Sequence, residues 1–172
     1  MTAEQYANIY LENELKIIEN SDRKIVLPEL TIFEKVIIYK YSEDGYQDLN
    51  EQLRLNQEKQ IPIFGKILSE CLAKLPNFTG NVYRSINLND EEYNRYCDNE
   101  IIVESFFIST SRSKLIGNQF GSFRFEIFSQ TGKCIENISK FANEKEVVIN
   151  YNTTFRVVSV NEINRQIQLI EI

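Results

Sequence analysis

The spacing of apolar residues changes at Asn81, and this change limits the folds that the chain can adopt. Before Asn81, apolar residues recur at intervals of three and four, which is the period of an amphipathic helix. After it, short runs rich in β-branched and aromatic residues alternate with turns, which is typical of strands. We therefore predict an α+β fold in which helices come first and an antiparallel β half follows.

The predicted elements follow from this pattern and from local start and stop signals. Thr31 and Glu34 have the spacing of a capping box, which indicates the start of a helix. Helices are predicted at residues 2–20, 31–41, 46–56 and 63–75, with a turn at 42–45, and two short helices at 90–97 and 113–120. Strands are predicted at residues 82–86, 101–110, 122–128, 146–150, 155–160 and 167–172.

Length limits the number of domains, and charge limits the classes of partner. With 172 residues and no repeat or linker, the chain is predicted to be a single domain, residues 1–80 mainly helical and 81–172 mainly β. The net charge of -6 disfavours nucleic acid and an anionic membrane surface as partners, and favours a basic protein surface. No apolar stretch approaches ~18 residues, and no signal peptide is visible, so no membrane association is expected.

The absence of histidine removes several kinds of chemistry. A chain with no His cannot use Ser-His-Asp or Cys-His catalysis or a His-ligated zinc site. Cys71, Cys97 and Cys134 lie far apart without metal-ligand spacing, so they are expected to be reduced, structural thiols. Acid–base chemistry is left to carboxylates, Tyr, Lys or Cys, and no metal is expected.

Glu144, Lys145 and Glu146 run directly into the apolar triplet Val147-Val148-Ile149. Side chains alternate along a strand, so Glu144 and Glu146 are expected on one face, about 7 Å apart. Two carboxylates at the mouth of a buried strand can share acid, base and electrostatic roles. The alternative is a strand entrance that is merely solvated.

Two further polar stretches interrupt apolar strands. Arg84 stands in the run VYRSI, where its guanidinium either marks a sheet edge or holds a carboxylate or phosphate. A second apolar run ends in Ser109-Thr110-Ser111. Either Ser111 caps the following helix, or Ser109, on the same strand face as Phe107 and Ser111, points into a cleft.

Arg, then Ser-Thr-Ser, then Glu-x-Glu, each on its own strand, resembles the mono-ADP-ribosyltransferases of the arginine–serine–glutamate type. This family includes arginine-specific vertebrate enzymes and actin-modifying bacterial toxins. The matching segments are VYRSI at 82–86, FISTS at 107–111 and GKCIENISKFANEKEVVI at 132–149, and the run at 39–54 is similar to the family's helix–turn–helix entry. The resemblance covers roughly residues 30–160, and implies N-terminal helices packed on two antiparallel sheets that form an NAD cleft.

The resemblance implies a role for each matching polar residue. Arg84 would bind the NAD diphosphate, and Ser109 would bind near the nicotinamide ribose and orient the catalytic carboxylate. Glu146 would bind the ribose hydroxyl and stabilise the oxocarbenium-like transition state. Glu144 would orient and deprotonate the attacking group, and Glu at this position is associated in the family with arginine acceptors.

The resemblance implies roles for three further positions. Phe120 matches an aromatic residue that stacks on nicotinamide, although a core residue at a helix end is an equally good interpretation. Ser85 stands where many arginine-type members have Gly, and the backbone amide of that position contacts nicotinamide. Phe141 lies near the end of the segment 129–143, which matches the family's substrate-recognition loop.

The resemblance therefore implies transfer of ADP-ribose from NAD to an arginine of a protein, with no metal. Actin or another cytosolic protein would be the target, and no nucleic acid or membrane would be involved. The missing signal peptide and disulfides favour a toxin or effector that acts in the cytosol of a target cell, or a cytoplasmic protein. The alternatives are an NAD glycohydrolase that depletes NAD, and a non-catalytic module that keeps the fold.

Overall fold

The computed structural model describes residues 1–56 and 60–172, which form two compact units. The helical unit comprises residues 1–76 and 134–143, and the strand unit comprises residues 77–133 and 144–172. The helices are α1 (Ala3–Tyr10), α2 (Glu12–Glu19), α3 (Ile32–Lys40), α4 (Tyr46–Asn56), α5 (Ile63–Ala73), α6 (Asp90–Asp98) and α7 (Lys114–Gly117). The strands are β1 (Phe78–Ile86), β2 (Ile101–Glu104), β3 (Ile108–Ser111), β4 (Phe123–Cys134), β5 (Glu146–Ile149), β6 (Thr153–Asn161) and β7 (Gln166–Glu171). The predicted α+β class, with helices first, is confirmed.

Helix α3 lies at the core of the helical unit. It begins at the predicted capping box, where the Thr31 hydroxyl accepts from the Glu34 amide at 3.3 Å and the Glu34 carboxylate accepts from the Thr31 amide at 2.8 Å. Its residues 35–39 are all buried, so the helix is covered on every side, as expected for a central helix. Within residues 1–56 and 60–172, no helix combines the length and apolar character needed to cross a membrane.

Two predictions for the helical unit are wrong in detail. The single helix predicted at residues 2–20 is two helices, because Leu11 leaves the helical conformation (φ -129°, ψ 37°) and buries its side chain. The turn predicted at 42–45 is a π-helical turn, Tyr41–Gly45, that runs directly into α4. Gly45 suits this π-helical turn because an added Cβ would lie 2.9 Å from the carbonyl oxygen of Lys40.

The seven strands of the described residues follow the order β1-β3-β5-β4-β7-β6-β2, with an additional pairing between β1 and β4. The pairs β1–β3, β1–β4, β3–β5, β2–β6 and β6–β7 are antiparallel, whereas β4 and β7 run parallel. The strand β4 is 12 residues long and has β1, β5 and β7 as neighbours. It therefore joins the strands expected in two sheets into one hydrogen-bonded network.

Residues 101–110, predicted as one strand, form two strands in separate places. Strand β2 pairs with β6 at one end of the strand order, whereas β3 pairs with β1 and β5. The break follows Glu104, whose buried carboxylate accepts from the Tyr96 hydroxyl at 2.6 Å and from Arg95 at 3.1 Å. Because a buried carboxylate requires such partners, helix α6 holds the end of β2 at this residue.

Strand β4 continues beyond its predicted end at residue 128 and reaches Cys134. The buried carboxylate of Glu171 stabilises this extension. It accepts from the amides of Gln130 at 2.6 Å and Thr131 at 3.0 Å. It also accepts from the hydroxyl of Ser129 at 2.9 Å and from that of Thr131. One carboxylate near the end of the chain thus satisfies the polar donors of an irregular stretch far away in sequence.

Glu171→Gln should therefore lower the free energy of unfolding by about 2 kcal/mol, because the amide group cannot accept all of these hydrogen bonds. Urea denaturation of the purified protein measures this loss. Glu91→Gln is the matched control, since Glu91 is exposed. Equal stability of the two variants would contradict the role given to Glu171.

Candidate active site

Strands β1, β3 and β5 lie next to one another and carry the three polar stretches. Tyr83 of β1, the residue before Arg84, pairs with Ser111 of β3. Ser111 pairs in turn with Glu146, the first residue of β5. Since neighbouring strands lie about 5 Å apart, Arg84, residues 109–111 and Glu146 occupy one region of the strand unit.

Arg84 is half-buried on β1, where it pairs with Phe125 of β4, and the preceding residue, Tyr83, also pairs with β3. The Arg84 side chain lines a small cavity together with Tyr96, Glu104 and Phe125. Burial, with the nearby Glu104 carboxylate, raises the pKa of Tyr96, and the Arg84 guanidinium acts in the opposite direction. Arg84 thus brings a fixed positive charge to this part of strand β1.

The hydroxyls of strand β3 have different surroundings. Ser109 is half-buried and lies opposite Val148 of β5. The Thr110 hydroxyl donates to the Val147 carbonyl at 2.6 Å. The Ser111 hydroxyl donates to the Glu144 carbonyl at 2.6 Å and accepts from the Ser113 amide at 3.0 Å. The suggested role of Ser111 as the cap of helix α7 is not observed, because residue 113 occupies the cap position.

Glu144 and Glu146 do not alternate along one strand as predicted. Glu144 ends a short 3₁₀ helix, Ala142–Glu144, and β5 begins only at Glu146. Between them, Lys145 adopts a positive φ of 51°. The backbone turns here because the Arg112 amide donates to the Lys145 carbonyl at 3.1 Å, next to the bond from Ser111. Glu144 and Glu146 therefore belong to different elements, a 3₁₀ helix and a strand.

The two carboxyl groups also differ in exposure. Glu146 is 6% exposed, and Glu144 is half-buried. Burial raises the pKa of Glu144 above its ordinary value of 4.5. A carboxylate in a partly desolvated position holds a proton more tightly than a solvated one, which is the property of a general base.

Phe120 is 62% exposed, so the interpretation as a core residue is wrong. It follows α7 in a turn, and its amide donates to the Ser85 hydroxyl at 2.9 Å. Phe141, in the helical unit, is 44% exposed, and its amide donates to the Ser139 hydroxyl at 3.2 Å. The segment 129–143 is shorter as a loop than predicted, because β4 takes up residues as far as Cys134.

The Arg84 guanidinium, the Ser109 hydroxyl and the buried Glu146 carboxylate, on three adjacent strands, can bind a polar, anionic ligand and face a developing positive charge. The part of the chain that the structure describes brings no three Cys, Asp or Glu side chains together as metal ligands. Ser85 and Ser111 both lie within the recognised motifs, but the hydrogen bonds of their hydroxyls could not be predicted from the sequence, because the fold supplies the partners.

Comparison with known proteins gives a family match over most of the chain. The profile of the ADP-ribosyltransferase exoenzyme family matches residues 15–171. The Mycobacterium avium (strain 104) protein Mav, named as a candidate NAD(+)–arginine ADP-ribosyltransferase, is 30% identical over 159 residues, which cover 89% of this chain and 19% of Mav. The chain spans between 19% and 60% of the length of three curated relatives that it matches.

Two solved structures share the fold at low sequence identity. The ADP-ribosyltransferase HopU1 of Pseudomonas syringae pv. Tomato DC3000 has a TM-score of 0.79 at 21% identity, covering 94% of this chain and 87% of HopU1. Exoenzyme S of Pseudomonas aeruginosa, bound to carba-NAD and in complex with a human 14-3-3 protein, has a TM-score of 0.78 at 19% identity. That match covers 98% of this chain and 86% of exoenzyme S. The fold is therefore that of the ADP-ribosyltransferases.

The titration of Glu144 is a direct test of the site's electrostatics. Its carboxyl should lose its proton at a higher pH than the same residue in a short solvated peptide of residues 141–149, because burial disfavours the charged form. Carbon-13 NMR of the side-chain carboxyl measures both midpoints, and Glu144→Gln assigns the signal. A midpoint in the folded protein at or below that of the peptide would contradict the desolvated environment.

Proposed function

The chain belongs to the ADP-ribosyltransferase exoenzyme family, and we propose that it transfers ADP-ribose from NAD to an arginine side chain of a protein, releasing nicotinamide. The observation that carries the proposal is the adjacency of β1, β3 and β5, with Ser111 paired to both Tyr83 and Glu146. The name of Mav supports arginine as acceptor, and carba-NAD in exoenzyme S supports NAD as donor. Residues 1–172 act as one catalytic domain in this proposal.

NAD binds through charge and stacking. The Arg84 guanidinium binds the diphosphate, since its planar fork matches two phosphate oxygens. Ser109 binds near the nicotinamide ribose and orients Glu146. The exposed ring of Phe120 stacks on nicotinamide, and the backbone amide of Ser85 contacts the nicotinamide ring.

Cleavage breaks the bond between the ribose anomeric carbon and the nicotinamide nitrogen. The bonding electrons leave with nicotinamide, so positive charge develops on the ribose. Glu146 stabilises this oxocarbenium-like transition state and binds a ribose hydroxyl. A carboxylate that is only 6% exposed interacts strongly with such a charge, because little water screens it. The reaction uses no metal.

Transfer then forms a bond between a guanidinium nitrogen of the target and the anomeric carbon. A guanidinium is protonated at neutral pH, so a proton must leave as the nitrogen attacks. Glu144 orients the guanidinium and takes that proton, and the raised pKa of Glu144 supports this assignment. The separate local structures of Glu144 and Glu146 suit two carboxylates with two tasks.

We place the protein among toxins or effectors that act in the cytosol of a target cell, where NAD is available. The net charge of -6 favours a basic protein surface as target, and disfavours nucleic acid and anionic membranes. Phe141, 44% exposed, belongs to the segment proposed to recognise the target. Purified actin is the first target to test, because actin-modifying toxins share the motif order.

Substitution of each carboxylate separates the two tasks. Glu146→Gln should reduce both NAD hydrolysis and ADP-ribose transfer by at least about 100-fold, since the transition state of both reactions loses its counter-charge. Glu144→Gln should reduce transfer to a small guanidine acceptor by about 100-fold and retain hydrolysis. Chromatography of nicotinamide and of the ADP-ribosylated acceptor measures both rates.

The exposed Glu51 provides the control, and Glu51→Gln should behave as the wild type. Equal loss of hydrolysis and transfer in Glu144→Gln would overturn the division of roles. A wild-type protein that consumes NAD but modifies no acceptor would instead identify a glycohydrolase.

A further inference from the structure

Ser85 is buried on β1, where its hydroxyl makes three hydrogen bonds to one turn. It donates to the Gly117 carbonyl at 2.8 Å and accepts from the amides of Phe120 at 2.9 Å and Gly121 at 3.1 Å. A serine hydroxyl offers one donor and two acceptor positions. The turn of residues 117–121 therefore uses the whole hydrogen-bonding capacity of Ser85.

The same turn lies directly against the backbone of β1. A Cβ added to Gly117 would lie 2.5 Å from the Tyr83 carbonyl oxygen, and one added to Gly121 would lie 2.3 Å from the Ile86 carbonyl carbon. These distances are too short for any side chain, so both positions require Gly. These two contacts, at Tyr83 and Ile86, lie on either side of Ser85 along β1. The turn can pack this closely against the strand only because residues 117 and 121 are glycines.

Phe120 projects from this turn with 62% of its surface exposed. Packing contributes little to its orientation at that exposure. The amides of Phe120 and Gly121, both bound to the Ser85 hydroxyl, fix the backbone from which the ring extends. A rigid backbone that presents an exposed aromatic face suits a flat heteroaromatic ligand, because less freedom is lost on stacking.

We propose that Ser85 is a positioning residue for NAD: its hydroxyl holds the turn of residues 117–121 against β1, and thereby holds the Phe120 ring where it stacks on nicotinamide. This role rests on the proposed function and adds to it, because it belongs to the side chain of Ser85 and not to its backbone amide. Strand β1 then contributes two successive residues to NAD binding. Arg84 binds the diphosphate, and Ser85 secures the surface for nicotinamide.

A double-mutant cycle between Ser85 and Phe120 tests this role. Ser85→Ala should raise the KM for NAD in hydrolysis about tenfold, with kcat changed by less than about threefold, because the turn loses its anchor while the reacting groups stay. In a Phe120→Ala background, the same substitution should change the KM by less than about twofold, since both act through one ring. Ser85→Thr, which keeps the hydroxyl, should restore the wild-type KM.

Ser159→Ala is the matched control, because the Ser159 hydroxyl also lies on a strand and donates to Gln168 at 2.7 Å, away from the turn. It should leave the KM for NAD unchanged. A KM in Ser85→Ala equal to that of the control overturns the inference alone. An equal rise in both Phe120 backgrounds also overturns it, since Ser85 would then act by general loosening. A wild-type protein that neither binds nor consumes NAD overturns the proposed function as well.

Hydrogen exchange on the wild-type protein provides a measurement that does not depend on a variant folding. The amides of Phe120 and Gly121 should be protected at least about 100-fold relative to an unstructured peptide, although they lie in an exposed turn. Exchange at the unstructured rate would show that the turn is not anchored, and would overturn the inference whatever the kinetics of the variants.

Discussion

Hydrogen bonds from the end of strand β3 hold residues 144 and 145, which lead into β5. These bonds determine where the carboxylates of Glu144 and Glu146 lie. The Ser111 hydroxyl binds the Glu144 carbonyl at 2.6 Å, and the Arg112 amide binds the Lys145 carbonyl at 3.1 Å. A left-handed residue such as Lys145 costs about 1 kcal/mol. Two hydrogen bonds of about 1 kcal/mol each offset that cost. Glu144 therefore leaves the strand, and Glu146 enters it.

This geometry gives two neighbouring carboxylates different environments. Glu146 is buried on a strand beside the serine hydroxyls, whereas Glu144 is half-buried at the end of a 3₁₀ helix with a raised pKa. Ser85 on β1 and Ser111 on β3 act alike, since each hydroxyl binds the backbone of a segment that carries a proposed site residue. Buried hydroxyls thus hold the backbone at Phe120 and Glu144, whose own side chains do not pack in a core.

The sequence predicted what local chemistry determines. The capping box at Thr31, the start of β5 at Glu146 and the order of the three polar motifs were all readable, because helix caps and strand patterns depend on nearby residues. The break after Glu104 and the extension of β4 were not. They depend on Tyr96 with Arg95, and on Glu171, which are partners supplied by other elements. The face of Glu144 was predicted incorrectly for the same reason, since Ser111 and not the local sequence turns the chain there.

The most direct test of arginine transfer is the reaction of the purified protein with tagged NAD in a cell lysate, with Glu146→Gln in parallel. We expect discrete labelled proteins with the wild type only, and mass spectrometry should locate ADP-ribose on arginine side chains. Labelling of other residue types would contradict the proposed acceptor. Consumption of NAD without labelling would contradict transfer, and intact NAD without labelling would contradict catalysis.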